Sequence, residues 1–202
     1  MFEVNTDNLK LVRELGRGTF GEVFEMIHEP TQTIFAVKKI SEQNQNRNVD
    51  SDIETEISDI TAHKELGNHP YLIDYFGALH ADAYYWVLSE LMDCSLDDFI
   101  RRIHQKNVVM PEAFFSNVAR VVLTAISFMK TKQFIHRDIK PSNILINSDF
   151  TIKVCDFGIS GKLVNSINLS TGKGCRLYMP VIFYLNILLE NETLNIKIKN
   201  HY

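Results

Sequence analysis

HRDIKPSN occupies residues 136–143 and DFG occupies 156–158, so Asp156 lies 18 positions after Asp138. Two carboxylates and a carboxamide, Asp138, Asp156 and Asn143, therefore fall at a spacing suited to transfer of a γ-phosphoryl group. That reaction is mostly positioning and charge neutralisation, with little covalent work for the protein, so few groups suffice. In such an arrangement Asp138 accepts the proton of an attacking hydroxyl. Asn143 helps hold one magnesium ion, and Asp156 holds magnesium against the β- and γ-phosphates. Lys140, two residues after Asp138, reaches the transferring phosphate. Either tripeptide alone could be a chance match in an unrelated loop, but the two in this order argue against that.

Upstream, GRGTFGEV spans 16–23 and FAVKK spans 35–39, which puts Lys38 22 residues after Gly16. The loop of Gly16, Arg17, Gly18, Thr19, Phe20 and Gly21 would close over phosphates without Cβ collisions, and Lys38 would supply a point charge to the α- and β-phosphates. The same glycine spacing opens a helix in dinucleotide-binding folds. Here EVFEMI follows Gly21, and 34–40 is a second β-branched and aromatic stretch. A glycine loop between two strands is the better reading.

The chain of 202 residues is 45% hydrophobic with a formal net charge of −4, an ordinary composition for a soluble globular protein with one or two cores. No basic excess points to nucleic acid. The three cysteines, Cys94, Cys155 and Cys175, lack metal-ligand spacing and are odd in number, which fits reduced thiols in a cytoplasmic setting. Cys155, beside Asp156, reads either as a reactive thiol or as a small buried filler. The first ten residues have the character of neither a signal peptide nor a transit peptide.

The first 90 or so residues read as strand-rich. Strands are expected near 9–15, 22–28, 33–40, 72–78 and 84–90, with one polar helix at about 50–66. The following stretch is helical at 96–105 and 111–132. In the second helix Pro111 stands at the first helical position, and Phe114, Val118, Val121, Val122, Ala125 and Phe128 form a core stripe. Short strands at 144–146 and 152–154 would flank the HRD loop. The fold expected is α+β, with a small antiparallel-sheet lobe at 9–91 and a mainly helical, incomplete lobe at 92–180, and with a ligand cleft between them.

These motifs, together with FEVNTDNLKLVRELGRGTFGEVFEMIHEP at 2–30, YFGALH at 75–80, SELMDCSLDDF at 89–99 and CDFGISGKLVNSI at 155–167, resemble the protein kinases. Within them they resemble the mitogen-activated protein kinase kinases, especially the stress-activated branch. The resemblance covers 2–179. It implies ATP and Mg2+ as cofactors and a MAP kinase as substrate, phosphorylated on Thr and Tyr. It also implies an upstream kinase that acts on this chain. Neither a nucleic-acid nor a membrane partner is expected, since there is no basic excess and the apolar run at 181–189 is too short to span a bilayer. It further implies that the carbonyl of Glu90 and the amide of Met92 hold adenine, with Val23 and Ala36 above the ring and Leu145 below. Ser89 then stands where a larger residue often guards a back pocket.

The same resemblance places the acidic partner of Lys38 at Asp59, with Glu56 one turn earlier as the rival and a solvated helix face as the plain alternative. One turn further on stands His63, where an apolar residue would normally join a spine of packed side chains. Ser166 and Ser170 sit four apart, in the register of the family's paired phosphorylation sites, with Thr171 a rival to Ser170. A phosphate there adds about −1.5 to −2 charges, and Arg137 is the expected partner.

After Met179 the resemblance stops. YMPVIFYLNILLENETLNIKIKNHY replaces the family's continuation, and 181–202 reads as a non-family tail, either a covering helix or the product of a misread gene. The helical stripe at 111–132 would then be left partly exposed. A nucleotide-binding or decoy module without phosphotransfer is therefore the alternative to an active kinase.

Overall fold

Five strands, β1 (Leu9–Gly18), β2 (Gly21–His28), β3 (Thr33–Ser41), β4 (Tyr75–Ala81) and β5 (Tyr84–Ser89), form an antiparallel sheet in the order β1-β2-β3-β5-β4. The computed structural model describes residues 4–18, 21–41, 60 and 62–157, together with the backbone of 161–162. The period-two pattern of β3 sets the faces of the sheet. Phe35 and Val37 are buried against Leu9, Met26 and Leu88, while Ala36 and Lys38 point to the opposite side. There, Lys38 is flanked by its register partners Val23 and Val87.

Strand β1 is longer than the expected 9–15 and runs into the glycine loop, where Gly18 pairs with Gly21. Gly21 opens β2 rather than a helix, which removes the dinucleotide-type reading. A Cβ on Gly21 would lie 2.4 Å from the Lys39 carbonyl oxygen, and its φ is +136°, so this glycine is required by close approach. Residues 72 and 73 do not begin β4 as expected. They pair instead with the second lobe, where the Ile73 amide donates to the Val154 carbonyl at 3.0 Å. Of the expected helix at 50–66, the described residues 60 and 62–66 are helical.

The second lobe begins with β6 (Cys94–Ser95) and α1 (Leu96–Gln105). The Ser95 hydroxyl caps α1 by accepting from the Asp98 amide at 3.1 Å, and Asp97 and Asp98 complement the positive end of the helix. Next comes α2 (Glu112–Thr131), in which Pro111 is the N-cap residue rather than the first helical one, because its ψ of 148° is extended. Phe114, Val118, Val121, Ala125 and Met129 face inward, onto β7 (Phe134–Ile135), β8 (Ile144–Ile146) and β9 (Ile152–Val154). The partial exposure expected for this helix falls on the side away from these inward residues. It is the outer face of α2, with Phe115, Leu123 and Ile126, that meets solvent. By length and composition α2 could cross a bilayer, but it carries Arg120 and uses its apolar stripe as core. Further elements are 3-10 turns at Thr6–Asn8 and Pro141–Asn143, and β10 (Gly161–Lys162), which pairs with β7.

One core unites the lobes. Ala62 and Leu66 from the helix ending at residue 66 pack with Leu72, Met92, Met129, Val154 and Phe157. Each of the larger side chains contributes about 1.5–3 kcal/mol by leaving water, and Ala62 less.

Candidate active site

The HRD loop joins β7 to the 3-10 turn, in which Pro141 takes the first position and sets the backbone for Asn143. Asp138 and Asn143 are each only 5% exposed. The Asn143 carboxamide donates to both the carbonyl and the Oδ2 of Asp138, at 2.9 Å each. Lys140 Nζ lies 2.6 Å from the same Oδ2. A buried carboxylate is costly unless it is paired and hydrogen-bonded, and these two donors meet that need.

His136 anchors the loop from below. Its Nδ1 accepts from the Asp138 amide at 3.3 Å, so Nε2 carries the proton and donates to the Cys155 carbonyl at 3.0 Å. The tautomer follows because an amide can only donate. The Cys155 amide in turn donates to the Asn143 carbonyl at 3.0 Å. The HRD loop and the residue before Asp156 are thus tied by main-chain and imidazole bonds. Arg137 and Asp156 both adopt left-handed backbones, with φ of 68° and 66°. Each costs about 1–3 kcal/mol in a non-glycine residue, a cost typical of functional sites.

Across the cleft, Lys38 Nζ meets Asp156 Oδ1 at 2.8 Å. Next to Asp156, Phe157 is 1% exposed and packs edge-on against His63 at 4.6 Å and His136 at 5.5 Å. His63 stacks flat on Tyr75 at 4.9 Å and is buried. An imidazole therefore occupies the place in this aromatic column where an apolar side chain was expected.

At the segment between the lobes, Ala36 pairs with Ser89, whose hydroxyl donates to the Ala36 carbonyl at 3.4 Å. Met92 is buried in the shared core, and Leu145 packs against the same core. The end of the segment is bracketed by the turn between β8 and β9. The Asp93 amide donates to Asn147 Oδ1 at 3.0 Å, and the Ser148 amide donates to Asp93 Oδ2 at 2.6 Å.

Thr19, Phe20, Glu56, Asp59, Ser166, Ser170 and Thr171, together with the tail at 181–202, lie outside the described residues. Two features escaped the sequence reading. The His136 bridge leaves no signal beyond the HRD motif itself. The side chain of Glu90 engages Lys153 and the Asp74 amide, an arrangement that only the pairing of β9 with residues 71–73 brings about. Among the described residues no group of three His, Cys, Asp or Glu side chains suits a transition metal. A carboxylate and a carboxamide suit magnesium, which is usually bound by one or two carboxylates plus substrate phosphates.

A buried Asp138–Asn143 pair bonded to Lys140, with Lys38 of the sheet bonded to a second aspartate across the cleft, defines a phosphotransferase-type cleft. Residues 9–181 match the protein kinase domain, and the chain belongs to the protein kinase family. Within that family it is similar to MAP kinase kinases. It is 36% identical over 179 residues to the dual specificity mitogen-activated protein kinase kinase sek-1 of Caenorhabditis elegans, covering 88% of this chain and 52% of that one. It is 32% identical over 181 residues to the MAP kinase kinase mkk-4 of the same organism, covering 89% and 49%. It is 35% identical over 184 residues to the dual specificity mitogen-activated protein kinase kinase hemipterous of Drosophila melanogaster, covering 88% and 15%. The chain therefore spans about half the length of the first two relatives and less of the third.

Proposed function

We propose that this chain acts as an ATP- and Mg2+-dependent protein kinase of the MAP kinase kinase type. The observation that carries the reading is the buried Asp138 carboxylate, held by Asn143 and Lys140 beside the Lys38–Asp156 pair. Bound Mg·ATP would supply the γ-phosphoryl group and the metal charge that screens it. Asp138 orients the substrate hydroxyl and takes its proton, while Lys140 neutralises the oxygens of the group in transit. Lys38 would lie on the phosphate oxygens of bound nucleotide, and Asp156 with Asn143 would hold magnesium, whose charge would screen the phosphates. The Glu90 carbonyl and Met92 amide hold adenine between Val23 and Ala36 on one side and Leu145 on the other. The loop from Gly16 to Gly21 covers the phosphates.

The substrate we assign is the activation loop of a MAP kinase of the stress-activated type, modified on Ser/Thr and Tyr. An upstream MAP kinase kinase kinase would act on Ser166 and Ser170, and the cytoplasm is the assigned compartment. Support comes from the similarity to MAP kinase kinases, two of them of dual specificity, from the resemblance of the motifs to the stress-activated branch, and from the odd cysteine count.

Incubation of the chain with Mg·ATP and a catalytically dead MAP kinase tests this. Transfer to the activation-loop Thr and Tyr is expected. Nucleotide-dependent stabilisation without transfer would replace this reading with that of a nucleotide-binding or decoy module, and loss of both would overturn each.

A further inference from the structure

Behind the segment that joins the lobes, charged side chains from three separate stretches converge. Lys153, in the middle of β9, donates from Nζ to Asp74 Oδ2 at 3.0 Å and also to Glu90 Oε1. Glu90 Oε1 accepts as well from the Asp74 amide at 2.8 Å. The Glu90 amide donates to the Asp74 carbonyl at 3.0 Å.

The Lys153 side chain is 11% exposed, so its ammonium is largely out of water. Burial pulls its pKa down, but the hydrogen bonds and charges of Glu90 and Asp74 outweigh this and hold it above the ordinary lysine value. The ammonium is therefore fixed in its charged form. Removing it would leave two partly exposed carboxylates, Asp74 and Glu90, without the cation they share.

The position of the cluster gives it a role. Asp74 follows residues 71–73, which are bonded to β9 through the Ile73 amide and the Tyr71 carbonyl. Glu90 immediately follows β5. Lys153 lies on β9 three residues before Asp156, the partner of Lys38. With its amide and its carboxylate both held, Glu90 has little freedom left in the peptide that carries its carbonyl.

We propose that Lys153, Asp74 and Glu90 form an interlobe clamp that fixes the main chain at Glu90 from behind, and that Lys153 is thereby a positioning residue for nucleotide. The second half of this statement rests on the nucleotide-binding reading above. A pre-ordered connector lowers the conformational cost of holding adenine, so affinity depends on the clamp although no clamp side chain need touch the ligand.

The test compares the full chain with Lys153→Met, Glu90→Gln and the conservative Lys153→Arg, using calorimetric affinity for Mg·ADP and amide hydrogen exchange in the free protein. Lys153→Met is expected to weaken Mg·ADP about five- to tenfold. It is also expected to speed exchange at the Asp74 and Glu90 amides about tenfold or more, while amides between β2 and β3 stay unchanged. Glu90→Gln is expected to fall between, and Lys153→Arg to keep both readouts near wild type. A lower unfolding temperature with unchanged affinity and exchange would mark an ordinary structural ion cluster and overturn the clamp. Should the wild type bind no Mg·ADP, only the nucleotide reading fails. The exchange comparison then still decides, with faster exchange upholding the clamp and equal exchange rejecting it.

Discussion

Lys38 Nζ and Asp156 Oδ1, 118 residues apart in sequence, meet at 2.8 Å and tie β3 to the end of β9 across the cleft. Both side chains keep partial access to solvent, so the pair itself contributes little, about 1 kcal/mol or less. Lys38→Met is therefore expected to unfold close to the wild-type temperature. Its stabilisation by Mg·ATP should disappear, and phosphotransfer should drop by about a hundredfold or more. Thermal melts with and without nucleotide, beside a radiolabel assay, separate the two effects.

Asp138 and Asn143 respond differently to substitution. Asp138→Asn keeps shape and burial, so stability is expected to hold while transfer falls by about 10² to 10⁴. Asn143→Ala removes the donor to two oxygens of Asp138 and is expected to cost about 1–3 kcal/mol in denaturant unfolding. Equal stability of the two variants would contradict the hydrogen bonding described above.

Two glycines of one motif should part company. Gly21→Ala drives a Cβ to 2.4 Å from the Lys39 carbonyl oxygen at a φ of +136°, whereas nothing lies within 4 Å of a Cβ on Gly16. The first substitution is expected to cost several kcal/mol, with overpacking and backbone strain combined, and the second well under about 1 kcal/mol. Circular dichroism melts would show this without any activity assay.

Acid should weaken the fold partly through His69. Burial beside Phe128, on which its ring stacks at 4.2 Å, holds its pKa below the ordinary histidine value. The unfolded chain then binds the proton more readily, so stability is full above the unfolded pKa and declines as pH falls through and below it. His69→Gln is expected to flatten the stability profile between about pH 7 and pH 5. The ring is only partly shielded, so the effect is small.

Ser89 closes β5 opposite Ala36 with a side chain of few atoms. A purine analogue with a bulky substituent is expected to bind the wild type better than Ser89→Met. Equal inhibition of the two proteins would reject a back pocket at this position.

The parts legible in the sequence were those with short-range rules. HRD and DFG carry their spacing openly, β3 shows its two-residue alternation, and the stripe of α2 shows its helical period. Position 72 misled because local β propensity cannot reveal which strand accepts the pairing, and Val154 is 82 residues away. Pro111 fits either end of a helix entry by composition, and only its ψ chose the cap. Partial exposure of α2 was expected from what lay beyond Met179, and it falls on Phe115, Leu123 and Ile126, while the inward stripe is covered by β7, β8, β9 and their neighbours. His63 could be placed by counting, but its flat contact with Tyr75 could not. The Lys153 cluster joins three stretches with no common motif, so no local pattern announces it.

Asp93 is held by Asn147 and by the Ser148 amide, so the connector between the lobes is fastened at its far end by the same hairpin that bears Asp156 at its exit. The β8–β9 hairpin thus serves two ends at once: its turn pins the connector at Asp93, and its last strand runs through Val154 to Asp156. A graft that alters the turn at residues 147–150 would therefore disturb the anchorage of the connector without replacing any group assigned to nucleotide or metal.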